Sequence, residues 1–183
     1  MKTRSMQLVV PVLLATGAAA FAQANDNEDN PLRFRAFARM SSFNEVPAIA
    51  TGARGTFRAT LSADGTVLSF QLSWSGLSGS PMAAHVHLGQ FFANGNVSFF
   101  LCGGGGQPSC PPGTSGTISG TVTAANVMAV PAQGLQAGNL TQILNAMRRG
   151  LTYANIHTAQ FPGGEDRGEI LVRSGSDNND DEE

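Results

Sequence analysis

Charged residues are scarce in this chain of 183 residues, because Asp, Glu, Lys and Arg together make up only 13% of it. Soluble domains usually carry about 25% charged residues. Lysine occurs once, at Lys2, and the formal net charge is −2. The sequence has no run of Lys and Arg, which argues against a nucleic-acid-binding protein. The shortage of Lys and the abundance of Gly, Ser and Thr also argue against a protein built of long helices.

Strand patterns are abundant, because apolar and polar residues alternate with a period of two in most of the chain. Asp64-Gly65 between two such runs is typical of a hairpin turn. One helix is predicted after Asn139 as N-cap, with Arg148 and Arg149 in its last turn and Gly150 just past its end. Its apolar stripe is Leu140, Ile143, Leu144 and Met147. We therefore predict an all-β antiparallel β-sandwich with one short helix. The predicted strands cover residues 32–40, 56–62, 68–74, 84–88, 97–101, 117–123, 152–158 and 168–173.

The two ends of the chain differ from its middle. Lys2 and Arg4 precede an apolar run that ends at Ala22-Gln23-Ala24, which is typical of a signal peptide over residues 1–24. We predict a disordered acidic linker at 25–31, a folded domain at 32–173 and a disordered acidic tail at 174–183. Export would place the protein in the periplasm or in the medium, with no membrane contact once the signal peptide is cleaved.

The only two cysteines are Cys102 and Cys110, and four glycines lie between them. In an oxidising compartment we expect this pair to form a disulfide that holds the glycine-rich loop in place. A soft metal site is the competing interpretation, and the absence of a nearby histidine gives it little support.

All three histidines fall in two strand patterns. His85 and His87 are two residues apart, so both imidazoles leave the same face of a strand. His157 lies in a second strand, on the face opposite its apolar residues. If the two strands are neighbours, three imidazoles can hold copper or zinc, with a fourth position left for water or a carboxylate. The alternative is that each ring bonds to loop backbone or to a polar neighbour such as Asn155.

Two carboxylates are further candidates. Glu45 precedes Val46-Pro47, and Glu169 follows the His157 strand. With Asn155 they form a candidate supporting set for the histidines. Glu45 and Glu169 could act as an acid–base pair, although no spacing brings them together, and pairing of the acids with arginines is the simpler interpretation.

Five short motifs occur in a fixed order and resemble the CHRD domain, first described in the secreted morphogen antagonist chordin and found widely in exported bacterial proteins. The motifs lie at residues 43–47, 84–89, 94–95, 150–158 and 162–170. The resemblance implies a secreted all-β domain, of a bacterial single-domain type, and in chordin such domains are associated with binding growth factors. The His-x-His strand also looks like that of copper-zinc superoxide dismutases, so the predicted sandwich is immunoglobulin-like or dismutase-like with Greek-key connections. A dismutase needs more histidines than three.

Two functions follow as expectations. The first is a secreted, non-catalytic binding or structural module whose partner is an extracytoplasmic protein or surface ligand and not a nucleic acid. The alternative is a copper- or zinc-binding metalloprotein that uses His85, His87 and His157, for metal binding or redox chemistry.

Overall fold

The computed structural model describes residues 34–173. The predicted signal peptide, the acidic linker, the acidic tail and the first two residues of the predicted folded domain lie outside this range. Within it, no helix is both long enough and apolar enough to cross a membrane.

The described residues form nine strands and one α-helix, with short 3₁₀ turns between some of them. The strands are β1 (Arg35–Ser41), β2 (Arg54–Leu61), β3 (Leu68–Ser75), β4 (Pro81–Leu88), β5 (Asn96–Cys102), β6 (Gly116–Val122), β7 (Thr152–Thr158), β8 (Asp166–Glu169) and β9 (Leu171–Arg173), and the helix is α1 (Leu140–Arg148).

All strand pairs are antiparallel, and they form one continuous sheet in the order β5-β4-β7-β8-β1-β2-β3-β6, with β9 also paired to β1. The end strands β5 and β6 approach each other, so the sheet curls into a nearly closed barrel. Curling hides the backbone groups that an open sheet would expose at its edges.

The all-β antiparallel fold with one short helix is confirmed, but the two stacked sheets of a sandwich are not seen. A sandwich would have a gap in the strand pairing between its two sheets, whereas here the pairing is continuous. Strand β1 pairs with β8 through Ser41 and Arg167, and with β9 through residues 35–37. The sequence pattern cannot distinguish these architectures, because each buries one face of every strand.

The barrel interior collects the apolar positions of the alternating strands. Phe57 and Leu72, opposite each other on β2 and β3, are fully buried. Helix α1 adds an apolar stripe to this core, and its N-cap is Asn139, whose side chain accepts a hydrogen bond from the Gln142 backbone. The helix therefore forms where its cap and its periodicity predicted it.

The predicted last strand, residues 168–173, is wrong in its start and in its continuity. The strand begins at Asp166, which pairs with Ile156, and is interrupted at Ile170. Ile170 is fully buried and its N–H bonds to the Thr152 carbonyl, which separates β8 from β9. The alternation pattern missed this start because Asp166, a charged residue, occupies a position that faces the core.

The predicted disulfide is confirmed, because Cys102 is bonded to Cys110. Cys102 is the last residue of β5 and is fully buried, while Cys110 lies in the loop that leads to β6. The bond excludes a thiolate metal site at this pair.

Candidate functional site

The pairing of β4 with β7 brings the three histidines together. His85 lies opposite Asn155, His87 opposite Tyr153, and Ala83 opposite His157. Residues paired in this way share one face of a sheet. His157 is therefore the diagonal neighbour of His85, on the outward face that both strands share.

Strand β5 has two bulges where it pairs with β4, the strand that carries His85 and His87. The register between β4 and β5 shifts once between Ala84 and His85 and again between Val86 and His87. Ser98 donates a hydrogen bond of 2.7 Å to the Val86 carbonyl at the second shift. Bulges of this kind re-aim side chains and are common beside functional sites.

The three imidazoles converge closely enough to form a candidate metal site. His85 Nδ1 is 3.1 Å from His157 Nε2. One ring nitrogen from each of His85, His87 and His157 can be chosen so that all three lie within 4.8 Å of one another. Each side chain is only 8–9% exposed. Zinc and copper accept three imidazoles in this manner and leave a further position for water.

Backbone carbonyls fix the tautomers of two of these rings. His87 Nδ1–H donates to the Gly95 carbonyl at 3.1 Å, and His157 Nδ1–H donates to the Pro162 carbonyl at 3.0 Å. The Nε2 atom of each neutral ring therefore carries a lone pair. His85 Nε2 and His87 Nε2 are buried and have no hydrogen-bond partner in the structure. In metal sites, the histidine ligands usually donate their other ring N–H to a carbonyl or a carboxylate in this way.

Burial keeps all three rings neutral at neutral pH. It lowers the pKa of His85 to about 3, with further lowering from His157 and His87. It lowers the pKa of His87 to about 4, although the hydrogen bond to Gly95 opposes this shift. The pKa of His157 is also lowered by burial, against the opposing hydrogen bond to Pro162. Neutral imidazole is the form that binds metals, so protons compete weakly for this site.

A stack of three side chains supports one edge of the histidine group. The rings of His87 and Tyr153 lie parallel, with centroids 4.7 Å apart, and the Arg167 guanidinium lies 3.5 Å from the Tyr153 centroid. Arg167 also donates to the Gln90 and Ala93 carbonyls. It therefore secures the loop over residues 89–95, which carries the carbonyl that orients His87.

Glu45 and Asn155 form a buried pair beside the histidines. Asn155 Nδ2 donates to Glu45 Oε1 at 2.9 Å and to Oε2 at 3.2 Å. Burial raises the pKa of Glu45 to about 7, and the bond from Asn155 and the charge of Arg167 oppose this shift. Asn155, and not an arginine, is the hydrogen-bond donor to Glu45, so the expected arginine partner is replaced by an amide.

A family model for the CHRD domain matches residues 36–170, which is more than half of the chain. The chain belongs to the CHRD domain family. CHRD domains are extracellular, in agreement with the disulfide, which fits an oxidising compartment. No curated protein and no solved structure matches the chain.

Two further acids in this CHRD domain are buried without an arginine hydrogen-bonded to them. Glu165 accepts hydrogen bonds from the Ser78 backbone, the Ser78 hydroxyl and the Thr158 hydroxyl. Asp166 is fully buried, and neither of its oxygens has a hydrogen-bond partner among residues 34–173. Burial, with the nearby charges of Glu45 and Glu165, raises its pKa to about 7. Burial therefore favours the neutral form of Asp166.

Glu169 lies apart from Glu45. It sits opposite Tyr153 on β8, is half-buried, and shares no hydrogen bond with Glu45 among the described residues. Burial raises the pKa of Glu169, and the charge of Arg167 opposes the shift. The structure thus joins Glu45 to Asn155 but does not form the Glu45–Glu169 pair.

Sequence reasoning about this CHRD domain missed Arg167, Tyr153 and the two carbonyls that orient the histidines. Tyr153 could have been found, because residues 153, 155 and 157 of β7 alternate onto the same outward face of the strand. The carbonyls of Gly95 and Pro162 have no signature in the sequence, since any residue supplies a carbonyl.

Proposed function

We propose that this CHRD domain is an exported binding module without catalytic activity, of the bacterial single-domain type. Membership in an extracellular family and the Cys102–Cys110 disulfide support export. The predicted signal peptide over residues 1–24 supports it independently. Its partner would be an extracytoplasmic protein or a surface ligand.

The surroundings of the histidines carry the non-catalytic part of the proposal. Nucleophilic catalysis needs a hydroxyl or thiol within hydrogen-bond reach of a base. Within residues 34–173, the histidine nitrogens bond only to another imidazole or to a backbone carbonyl. Both cysteines are oxidised. This arrangement supports a role in binding rather than in acyl or group transfer.

Export and binding can be tested on the full chain. Expression of residues 1–183, followed by fractionation and mass measurement, should recover outside the cytoplasm a protein that begins at Asn25. Lys2 is the only lysine, so an amine-reactive dye labels the processed protein at its N-terminus alone. The labelled protein should bind to washed cells of the producing organism saturably, and unlabelled protein should compete. Retention in the cytoplasm with residues 1–24 intact, or binding that never saturates, would contradict the proposal.

Metal binding is the second candidate function, and the unpartnered ring nitrogens favour it. His85 Nε2 and His87 Nε2 are buried without a hydrogen bond. An unsatisfied buried polar atom costs about 1–3 kcal/mol, and coordination of an ion would remove this cost. Copper and zinc are the ions whose preferences fit three neutral imidazoles. In either case His85, His87 and His157 would be the protein ligands.

Metal titration separates this candidate from a merely structural histidine group. Chelator-treated protein would be titrated with zinc and with copper, and bound metal measured after gel filtration. We expect one ion per chain in the parent protein and loss of stoichiometric binding in His85→Ala. Gln71→Ala is the control, because Gln71 is exposed on a distant strand of the same sheet. A parent protein that retains neither ion would remove this candidate.

A further inference from the structure

Five arginines that are scattered in the sequence share one outward face of the barrel. They are exposed, and the alternation of their strands turns their side chains away from the core. Strands β1, β2 and β9 are neighbours in the sheet. The set is Arg35, Arg39, Arg54, Arg58 and Arg173.

The register arranges these arginines as a track along β1. Positions 35, 37, 39 and 41 of β1 each carry an arginine or lie directly opposite one. Positions two apart in a strand are separated by about 6.6 Å, so the track is about 20 Å long. In order along it are Arg35 with Arg173, then Arg58, Arg39 and Arg54.

The guanidinium groups on this track are available to a ligand. Within residues 34–173, no side-chain hydrogen bond or ion pair occupies Arg35, Arg39, Arg54 or Arg58. Glu169 lies two residues before the start of β9 and is half-buried. The other described acids are buried or, as Asp64, lie in the turn between β2 and β3. The face is thus strongly positive although the whole chain has a net charge of −2.

Neutral hydrogen-bonding groups flank the arginine track. The remaining outward positions of β2, and those of β3 and β6, carry hydroxyl or amide side chains, as expected of a surface that bonds to sugar hydroxyls. The one ring on the track, Phe37, is covered by Arg173 at 4.9 Å from its centroid. Proteins that bind single-stranded nucleic acids typically present open aromatic rings on which bases stack. The flanking groups are Thr56, Thr60, Ser69, Gln71, Ser73, Thr117, Ser119 and Thr121.

We propose that this arginine face binds a linear acidic polysaccharide whose repeated carboxylate or sulfate groups bond to the guanidinium groups. Guanidinium forms paired hydrogen bonds with such anions, and a row of them suits an extended, regularly charged chain. The inference names the partner class of the binding module and therefore rests on the proposed function.

Binding of the processed full chain to heparin, polygalacturonate and uncharged dextran would test this assignment, with single-stranded poly-dT as the competing polyanion. Arg39→Gln with Arg58→Gln removes two charges from the centre of the track. Ala137→Glu with Thr141→Glu changes the net charge equally at exposed positions outside the face. Melting curves would verify that each variant is folded.

The parent protein should bind at least one acidic polysaccharide in a salt-sensitive manner and should not bind dextran. The arginine variant should bind about tenfold more weakly, since two ionic contacts of about 0.7 kcal/mol each are lost. The control variant should change affinity by less than about twofold. Equal weakening in both variants, equal binding to dextran, or tighter binding to poly-dT would overturn the assignment.

Together with the cell-binding experiment, this test distinguishes a wrong partner class from a wrong function. A protein that binds saturably to cells but to none of the acidic polysaccharides contradicts the polysaccharide assignment and leaves the binding module standing. A protein that binds to neither contradicts both.

Discussion

The two halves of the sheet present polar side chains outward in the same way but differ in what covers them. Over β4, β7 and β8, the loops at residues 42–50, 89–95 and 159–165 bury the histidines, Glu45 and Asn155. Over β1, β2 and β9, the arginine face is open to solvent. Strand alternation therefore decides which residues point outward, and the loops decide whether those residues form a buried site or a solvated surface.

Covering changes the chemistry of the side chains beneath the loops. Burial raises the pKa of Glu45 to about 7 and lowers that of His85 to about 3. Both shifts favour the neutral form of the group. The covered half thus holds neutral ligands in fixed positions, which suits a metal ion. The open half holds charged groups on mobile stems, which suits a large anionic partner.

The largest expected effect comes from preventing the loop at residues 159–165 from packing over Glu45 and Asn155. A Cβ at Gly164 would lie 2.6 Å from Asn155 Oδ1 and 2.7 Å from Glu45 Oε1. The backbone φ of Gly164 is 129°, which side chains rarely permit. We expect Gly164→Ala to lower the free energy of unfolding by about 2–4 kcal/mol. Gly163→Ala is the matched control, because a Cβ there meets nothing within 4 Å. Chemical denaturation measures both, and similar losses in the two variants would contradict the close packing.

The next largest effect concerns the pH dependence of stability. The pKa of Glu45 is about 7 in the folded protein against 4.5 ordinarily, so the folded state binds the proton more tightly than the unfolded state. Its contribution to stability is therefore complete below pH 4.5 and is lost as the pH rises to about 7. Relative to Glu45→Gln, the parent protein should lose about 2–3 kcal/mol over this window.

Denaturation of the parent and of Glu45→Gln across this pH range measures the difference curve. The lowered histidine pKa values act in the opposite direction on the parent, but they are common to both proteins and largely cancel in the difference. A difference that does not change with pH would show that Glu45 is ionised in the folded protein without penalty.

An Arg→Lys substitution should destabilise the covered half of the sheet more than the open half. Arg167→Lys keeps the charge but loses the planar group that lies over Tyr153 and donates to Asn94 and the loop carbonyls. We expect a loss of about 1–2 kcal/mol. Arg39→Lys on the open half should stay within about 0.5 kcal/mol. Melting temperatures would measure both, and equal effects would mean that covering by the loops has no energetic consequence.

The local features of the fold could be predicted from the sequence, but its closure could not. Alternation located the strands, and the two-residue spacing of His85 and His87 placed both rings on one face. The pairing of β1 with β9 joins residues far apart in the chain, and no local pattern encodes it. For this reason the sequence suggested a sandwich. The arginine face was missed as well, because its five arginines come together only through the pairing of β1 with β2 and β9.

The candidate site likewise has features that the sequence predicts and features that depend on how distant segments fold together. The identities of the three histidines, and of Glu45 and Asn155 as supporting residues, were accessible from residue types, but the bond between Glu45 and Asn155 was not predicted. The burial of Arg167 and the bonds from His87 and His157 to loop carbonyls depend on how the loops fold over the sheet. Asp166 misled the sequence interpretation, because a carboxylate at an inward strand position contradicts the usual pattern.

Nitrogen-15 NMR of the histidine rings in the metal-free protein at neutral pH is the most direct test of the covered half. We expect His87 and His157 to be neutral, with the proton on Nδ1 and the lone pair on Nε2, since each Nδ1 donates to a carbonyl. Spectra of either ring as a charged imidazolium, or as the tautomer with the proton on Nε2, would contradict this expectation.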